Sequence, residues 1–186
     1  MALQKMGSVL TLKLSAAVDE EYLIAPYRSV SQIDARLCWA ACITSAIGTV
    51  WRPQPRRVSQ REIARQVACP NLSQYNARRC NKWIKVSQVA SVWTANGFIG
   101  LVYKELDISE LGAGVSAEIA ERRPVQAYVD NRHVVMIYGY RIRGDDSEEV
   151  LVMDPMRGVR DQWRDVDDSL EWKGLWTGIE QGVDDA

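Results

Sequence analysis

The stretch SQIDARLCWAACITSAIG, residues 31–48, decides the predicted fold, because a polar loop changes within it into an apolar run beginning at Cys38. The run CWAACITSAI has the composition of a helix, and Gly48 predicts its end. Cys38 is therefore expected to be the first residue of this helix. A helix N-terminus lowers the pKa of a thiol and favours a reactive thiolate. The alternative is a small apolar residue that opens a buried helix.

Length and composition predict one folded domain over residues 1–186. The chain is 47% hydrophobic and 25% charged, with a formal net charge of -1. This balance argues against nucleic acid as the main partner, because such proteins carry basic surfaces that neutralise phosphates. No stretch reaches the ~20 apolar residues that cross a bilayer, so no membrane partner is expected.

Residues 1–30 are predicted to contain two strands, at Val9–Leu14 and Glu21–Tyr27. The first of them alternates apolar and polar residues and lacks the compact apolar core of a signal peptide. We therefore expect the protein in the cytoplasm, or exported by a route that needs no cleavable signal.

Residues 32–97 are predicted to form a helical subdomain. After the helix at Cys38, Ser59 and Glu62 form a capping-box pattern that opens a second helix. A third helix is predicted over Val86–Ala95, and the following Asn-Gly pair ends it.

Residues 98–186 are predicted to form an antiparallel sheet subdomain. Its strands are FIGLVY, VQAYV, HVVMIYGYRI and EEVLVMDP, with a short helix at SAEIAERR. The Trp-rich segment LEWKGLWTGIE is expected to cover the core, the alternative being a docking surface. Helices early and antiparallel strands late indicate the α+β class.

The four cysteines fall into two pairs. Cys38 and Cys42 are one helical turn apart, and Cys42 is predicted to lie in the core. Cys69 and Cys80 flank the polar loop CPNLSQYNARRC, either as a disulfide, which would imply an oxidising compartment, or as two reduced thiols. No C-x2-C pair is present, so we predict no zinc site and no other metal or cofactor.

The single histidine, His133, is the one imidazole available as a general base. It begins a predicted strand, and Asp154 ends the next. If the two residues are directly opposed, the turn is centred at residues 143–144, where the RGDDS turn signal lies. The side chains are then cross-strand neighbours about 5 Å apart at Cβ, unless a bulge moves them. Asp130 or Asn131 is the alternative partner, and a purely structural histidine is the alternative role.

An attacking thiolate also needs donors for the oxyanion that forms on the substrate. The backbone N–H of Cys38 is one candidate, and a side-chain amide reaching over the helix start is another. Gln32 lies six residues upstream of Cys38, across a short loop. Taken alone, a glutamine in a polar loop is more often an ordinary surface residue.

Gln32, Cys38-Trp39, His133 and Asp154, in this chain order, resemble the papain-like cysteine peptidases. That superfamily arranges an oxyanion-hole Gln, a nucleophilic Cys, a base His and an orienting Asn or Asp. The blocks CWAA, RRPVQAYVDNRHVVMIYGY and VLVMDP resemble its compact bacterial branch, which includes effector proteases of plant pathogens and relatives of bacteriocin leader peptidases. The CNKW loop ahead of the third helix also resembles the effector-like members.

The resemblance implies an α+β papain-like fold, with the nucleophile at a helix N-terminus in the helical half, packed on the C-terminal antiparallel sheet. It implies a thiol peptidase with a protein or peptide substrate, without a cofactor, and a bacterial effector or toxin role. Deamidation and acyl transfer use the same residues, and a noncatalytic interaction module is the rival.

The chain also departs from its relatives. Cys38 is followed by Trp39, whereas many papain relatives carry CGSCW and the leader peptidases carry Gly after the nucleophile. The leader-peptidase substrate class is therefore not implied. Asp154 stands where many relatives have Asn.

Overall fold

The computed structural model describes residues 18–50, 58–99, 101–105, 111–129, 133–156, 161–167 and 172–181. The helices there are α1 (Cys38–Val50), α2 (Gln60–Ala68), α3 (Ala77–Cys80), α4 (Val86–Ala95) and α5 (Leu111–Ala120). The strands are β1 (Val18–Leu23), β2 (Phe98–Ile99), β3 (Val102–Glu105), β4 (Val125–Val129), β5 (His133–Arg143), β6 (Glu148–Met153), β7 (Gln162–Asp165), β8 (Trp172–Thr177) and β9 (Glu180–Gln181). The predicted strand Val9–Leu14 lies outside these ranges. None of the helices described is long and apolar enough to span a bilayer.

The main sheet is antiparallel, with strand order β3-β8-β4-β5-β6-β7. The long strand β5 pairs with β4 along its first half and with β1 along its second half. Residues 134–140 of β5 are all buried, so both faces of this strand are covered. Helices with an antiparallel sheet confirm the α+β prediction.

Helix α1 packs against β5 through polar as well as apolar contacts. The Ser45 hydroxyl lies 2.7 Å from the Tyr138 hydroxyl, and both residues are buried. Gly48 was predicted to end α1, which was wrong, because the helix continues to Val50. A Cβ at Gly48 would lie 2.6 Å from Cδ of Arg28, so this glycine makes room for a crossing side chain.

Two of the predicted helix boundaries are confirmed. Ser59 is the N-cap of α2, and its hydroxyl accepts a hydrogen bond from the Glu62 N–H at 3.2 Å. The Glu62 carboxylate accepts from Arg65 at 2.7 Å. Helix α4 has the predicted bounds, and Gly97 follows it with a φ of 85°, which glycine adopts without strain.

The other differences from the predicted elements have local causes. Strand β1 ends at Leu23, ahead of Pro26, which lacks the N–H that a ladder requires. Helix α5 begins at Leu111 rather than at Ser116. Its Gly112 faces β6 so closely that a Cβ there would overlap the carboxylate of Glu148.

The apolar run FIGLVY was predicted as one strand, and this was wrong. Its first part, β2, pairs with β9 in a two-stranded sheet, whereas β3 pairs with β8 in the main sheet. Strand β8 lies between β3 and β4 and buries Trp172 and Leu175. The prediction that the Trp-rich segment covers the core is therefore confirmed.

Candidate active site

Cys38 is the first residue of α1 and is 0% exposed. The turn before it is held from two sides. The Leu37 N–H donates to the Asp34 carbonyl at 3.1 Å, and the Arg36 N–H donates to Oδ1 of Asn81 at 2.9 Å. The start of the helix, and with it the thiol, is therefore fixed by hydrogen bonds along the preceding loop.

The structure brings His133 and Asp154 together. Nε2 of His133 lies 2.8 Å from Oδ1 of Asp154, and their side chains are 18% and 11% exposed. The same carboxylate oxygen accepts from the Met156 N–H at 2.9 Å. A guanidinium nitrogen of Arg164, in β7, lies 3.9 Å from Oδ2. Asp154 is thus held in one orientation, and Nδ1 is the second ring nitrogen of His133.

Charges and hydrogen bonds favour an imidazolium–carboxylate pair. Burial opposes the charged ring, but hydrogen bonds to Asp154 and to Cys38, with their charges, raise the pKa of His133 to about 9. Burial also opposes charge on Asp154, yet hydrogen bonds from His133 and from the Met156 N–H hold the pKa of its carboxyl below the usual value. His133 is therefore predominantly protonated at neutral pH.

His133 and Asp154 are diagonal neighbours rather than directly opposed, so the predicted register was wrong. Direct opposition would pair Met136 with Leu151, but Met136 pairs with Met153, two residues further along. An even shift keeps side chains on the same face of a sheet. The two residues can therefore still form a hydrogen bond across the hairpin.

A β-bulge in the hairpin places the side chains of His133 and Asp154 on the same face of the sheet. Near the turn the register differs from the predicted one by three residues, since Ile142 pairs with Glu148 instead of Asp145. An odd shift would put His133 and Asp154 on opposite faces. The irregularity between Ile137 and Gly139 removes one residue of this difference.

Gln32 lies in the loop between β1 and α1, and its backbone is hydrogen-bonded to the segment after Asp154. Its N–H donates to the Pro155 carbonyl at 2.6 Å. A cavity of about 330 Å³ opens beside it. This cavity is lined by Gln32, Ile33, Asp34, Ala35 and Met156. The candidate oxyanion residue and the chain that follows the candidate orienting residue thus meet at one cleft.

The disulfide-closed loop, residues 69–80, supports the segment that precedes Cys38. Cys69 and Cys80 are joined by a disulfide with their Cα atoms 5.4 Å apart. Within the loop, the Tyr75 hydroxyl donates to the Asp34 carboxylate. The disulfide therefore restricts a loop in direct contact with the polar turn before the nucleophile candidate.

Cys42 lies in the core, as predicted. It is 0% exposed, and its thiol donates to the Val134 carbonyl at 3.5 Å. Burial raises the pKa of this thiol well above its usual value, so it stays protonated. Trp39 is buried too, and its indole N–H donates to the Lys82 carbonyl at 3.0 Å. Asp130 and Asn131 lie outside the described residues.

Two residues at the site were not predicted from the sequence. Arg164 approaches Asp154 from β7. Gln60 is buried and forms hydrogen bonds with the backbone on both sides of Gln32. Its position directly after the N-cap Ser59 was the available signal, but sequence alone does not distinguish a buried glutamine from a solvated one.

Comparison with known proteins identifies the family. The sequence profile of the Peptidase_C39 like family matches residues 24–181. The chain belongs to this family. No curated protein matches it. Membership of this peptidase family supports a cysteine peptidase.

Two solved structures share the fold of this Peptidase_C39-like chain. UfSP from C. elegans superposes with a TM-score of 0.58 at 15% identity, over 88% of this chain and 35% of that one. The chain thus spans about a third of the length of UfSP. A double glycine motif protease from an AMS/PCAT transporter, in complex with its leader peptide, gives a TM-score of 0.52 at 14% identity, over 86% of this chain and 99% of that one. The predicted papain-like α+β fold is confirmed.

Proposed function

We propose that this chain is a thiol peptidase with Cys38 as nucleophile, His133 as general acid and base, Asp154 as the residue that orients the imidazole, and Gln32 as an oxyanion donor. The observation that carries the proposal is the 2.8 Å hydrogen bond between His133 and Asp154, on an imidazole that is also hydrogen-bonded to Cys38. A carboxylate, an imidazole and a thiol at a helix N-terminus form the arrangement that generates a nucleophilic thiolate.

In the first step, the Cys38 thiolate, whose proton is held by His133, forms a bond to the substrate carbonyl carbon, and the carbonyl π electrons move onto the oxygen. The developing oxyanion accepts hydrogen bonds from the Cys38 N–H and the Gln32 amide. First-turn N–H groups point toward the N-terminal end of a helix, and the positive end of the helix dipole stabilises an anion there.

In the second step, the imidazolium of His133 protonates the leaving amine as its bond to carbon breaks, which leaves a thioester on Cys38. His133, now neutral, takes a proton from water, and the oxygen of that water attacks the thioester. The tetrahedral intermediate then collapses, which breaks the carbon–sulfur bond, releases a carboxylic acid and restores the Cys38 thiolate beside the imidazolium. Asp154 stabilises the imidazolium and fixes the ring so that Nδ1 faces the sulfur.

The substrate class we propose is a protein or an unfolded peptide segment, bound in the cleft beside Gln32 and Met156. A structurally similar double glycine motif protease is described in complex with a leader peptide, which supports peptide binding by this fold. With the resemblance to effector-type proteases, this suggests a bacterial effector or toxin that cleaves a protein target.

A peptide library derived from a bacterial or plant proteome tests the proposal. The full chain and its Cys38→Ala variant are incubated with the library, and new N-termini are identified by mass spectrometry. We expect new termini with the unmodified chain alone. Equal cleavage by both chains, or none by either, would contradict peptide-bond hydrolysis by Cys38.

One observation favours a second candidate, a noncatalytic interaction module. Cys38 is 0% exposed, so a substrate carbonyl reaches its sulfur only if neighbouring groups move. Under this alternative, Cys38 is an inert core residue and His133 is structural.

Deamidation or acyl transfer by the same residues would instead appear in the library as a changed mass at a side chain without a new terminus.

A further inference from the structure

We infer that Gln60 is a positioning residue that holds Gln32 where its side chain can reach the oxyanion. This inference rests on the proposed function and adds a residue to its machinery. Gln60 is not expected to touch the substrate, since its contacts are with the backbone on either side of Gln32.

The Gln60 carboxamide forms hydrogen bonds in both directions. Its Oε1 accepts from the Ile33 N–H at 3.1 Å, and its Nε2 donates to the Ser31 carbonyl at 2.7 Å. These groups flank Gln32, whose own N–H donates to the Pro155 carbonyl at 2.6 Å. Three successive residues of the loop are thereby anchored.

Only a side chain with both a donor and an acceptor can satisfy this arrangement. Gln60 is 7% exposed, so water does not readily replace its hydrogen bonds. A carboxylate at this position would face the Ser31 carbonyl without a donor. A thioether of similar length would lose both of these hydrogen bonds.

Gln60 also connects the loop to the helix that carries the nucleophile. It is the first residue of α2, whose start is fixed by the Ser59 cap. Helix α2 packs on α1, with Ile63 and Ala64 buried in the shared core. The path from Cys38 through α1 and α2 to Gln60, and from there to Gln32, is therefore packed and hydrogen-bonded.

This placement matters because oxyanion stabilisation depends steeply on geometry. Removal of one oxyanion donor typically lowers the turnover number by a factor of about 10² to 10³. A displacement of about 1 Å can lower a rate about a hundredfold. Loss of the Gln60 contacts should displace Gln32 without changing the Cys38–His133 pair.

The test uses p-nitrophenyl acetate and the full chain. Attack by the Cys38 sulfur on the ester carbonyl forms an oxyanion, and its collapse expels p-nitrophenolate and leaves an acetyl thioester, which water hydrolyses to acetate. We compare Gln60→Met with Gln66→Met, a control on the same helix. Gln66 is exposed, and its amide donates to Glu62 at 2.9 Å.

Iodoacetamide provides a second readout, because displacement of iodide by the thiolate forms no oxyanion. We expect Gln60→Met to lower the rate of acylation by the ester by a factor of about 10 to 100. Its alkylation rate should stay within about twofold of the unmodified chain, and Gln66→Met should change neither rate. In a Gln32→Ala background, Gln60→Met should have little further effect, since the two residues act through one interaction.

The inference is wrong if Gln60→Met acylates at the normal rate, if it slows both reactions equally, or if its effect is undiminished in the Gln32→Ala background. Should Gln60→Met fail to fold, Gln60→Glu, which keeps the acceptor and loses the donor, is measured by the same criteria. If the unmodified chain releases no p-nitrophenolate above background, the proposed function fails, and this inference falls with it.

Discussion

Cys38 and Cys42 lie one turn apart on α1 and are both 0% exposed, but their surroundings differ. Cys38 opens the helix and is hydrogen-bonded to His133. Cys42 lies inside the helix and donates to the Val134 carbonyl, an acceptor that favours the protonated thiol. Burial therefore does not distinguish the proposed nucleophile from the core thiol, whereas the hydrogen-bond partner and the position in the helix do.

Removal of either thiol gives the largest expected contrast. Cys38→Ala should reduce p-nitrophenyl acetate hydrolysis to the uncatalysed rate, because no other described thiol contacts the imidazole. Cys42→Ala should retain activity within a few fold and lose about 1 kcal/mol of stability, the typical cost of a single substitution. Stopped-flow absorbance and thermal unfolding measure both effects. An equal loss of activity in the two variants would show that the hydrogen-bond partners of Cys38 and Cys42 do not determine which thiol is reactive.

Truncation of Asp154 should have a smaller effect, because this carboxylate acts on Cys38 only through His133. For Asp154→Ala we expect a fall in acylation rate of about a hundredfold, within the usual contribution of general acid–base catalysis. Asp165→Ala, on neighbouring β7, is the control. Full activity in Asp154→Ala together with loss of activity in Asp130→Ala would show that Asp130 orients the ring.

The His133 titration sharpens the comparison, since the chain has one imidazole to follow by NMR. The midpoint should lie at about 9, with the ring charged below that pH and neutral above it. Amide cleavage, which needs the imidazolium as acid, should fall as the pH rises through this value. Cys38→Ala should lower the midpoint because it removes a hydrogen bond to the ring, and Asp154→Asn should lower it because it removes the carboxylate charge that favours the imidazolium.

Cys42→Ala is the matched variant in that titration and should leave the midpoint close to that of the unmodified chain. A midpoint near the ordinary histidine value in the unmodified chain would contradict the ion pair. An equal shift in the Cys38→Ala and Cys42→Ala variants would contradict the assignment of Cys38 as the partner of His133.

The smallest expected effect on activity concerns the Cys69–Cys80 disulfide. Replacing both cysteines by serine should lower the free energy of unfolding by about 3 kcal/mol, from the entropy of the closed loop. The disulfide-closed loop contacts the segment before Cys38 through Asp34, so its effect on the site is indirect. Activity should therefore fall only a few fold. Denaturant unfolding and ester hydrolysis measure the two effects. Unchanged stability would show that the bond does not constrain the unfolded chain.

The elements that local chemistry specifies could be predicted from the sequence. The Ser59 cap, the glycine after α4 and the bounds of β4 follow from side-chain donors, backbone freedom and a short apolar run. The elements that depend on distant contacts could not. Gly48 lies inside a helix at a point where Arg28 crosses it and leaves no room for a Cβ, and FIGLVY divides between two sheets because its halves have different partner strands.

The same limit applies to the candidate site. Residue types and chain order indicated Gln32, Cys38, His133 and Asp154, and the structure brings His133 and Asp154 into hydrogen-bond contact. The hairpin register was not predicted, although Gly139 beside the bulge was an available signal, because an isolated glycine in a strand pattern suggests a bulge. Gln60 and Arg164 approach the site from other elements, so their contacts become visible only in the folded chain.

The rate at which iodoacetamide labels each cysteine of the native, unreduced chain near neutral pH, followed by peptide mass spectrometry, tests directly whether Cys38 is an activated nucleophile. We predict one carbamidomethyl group per chain, on Cys38, with Cys42 labelled only after unfolding, because Cys38 lies at a helix N-terminus beside the imidazole, whereas burial raises the pKa of the Cys42 thiol. Equally slow labelling of Cys38 and Cys42 would contradict an activated nucleophile and favour the interaction module.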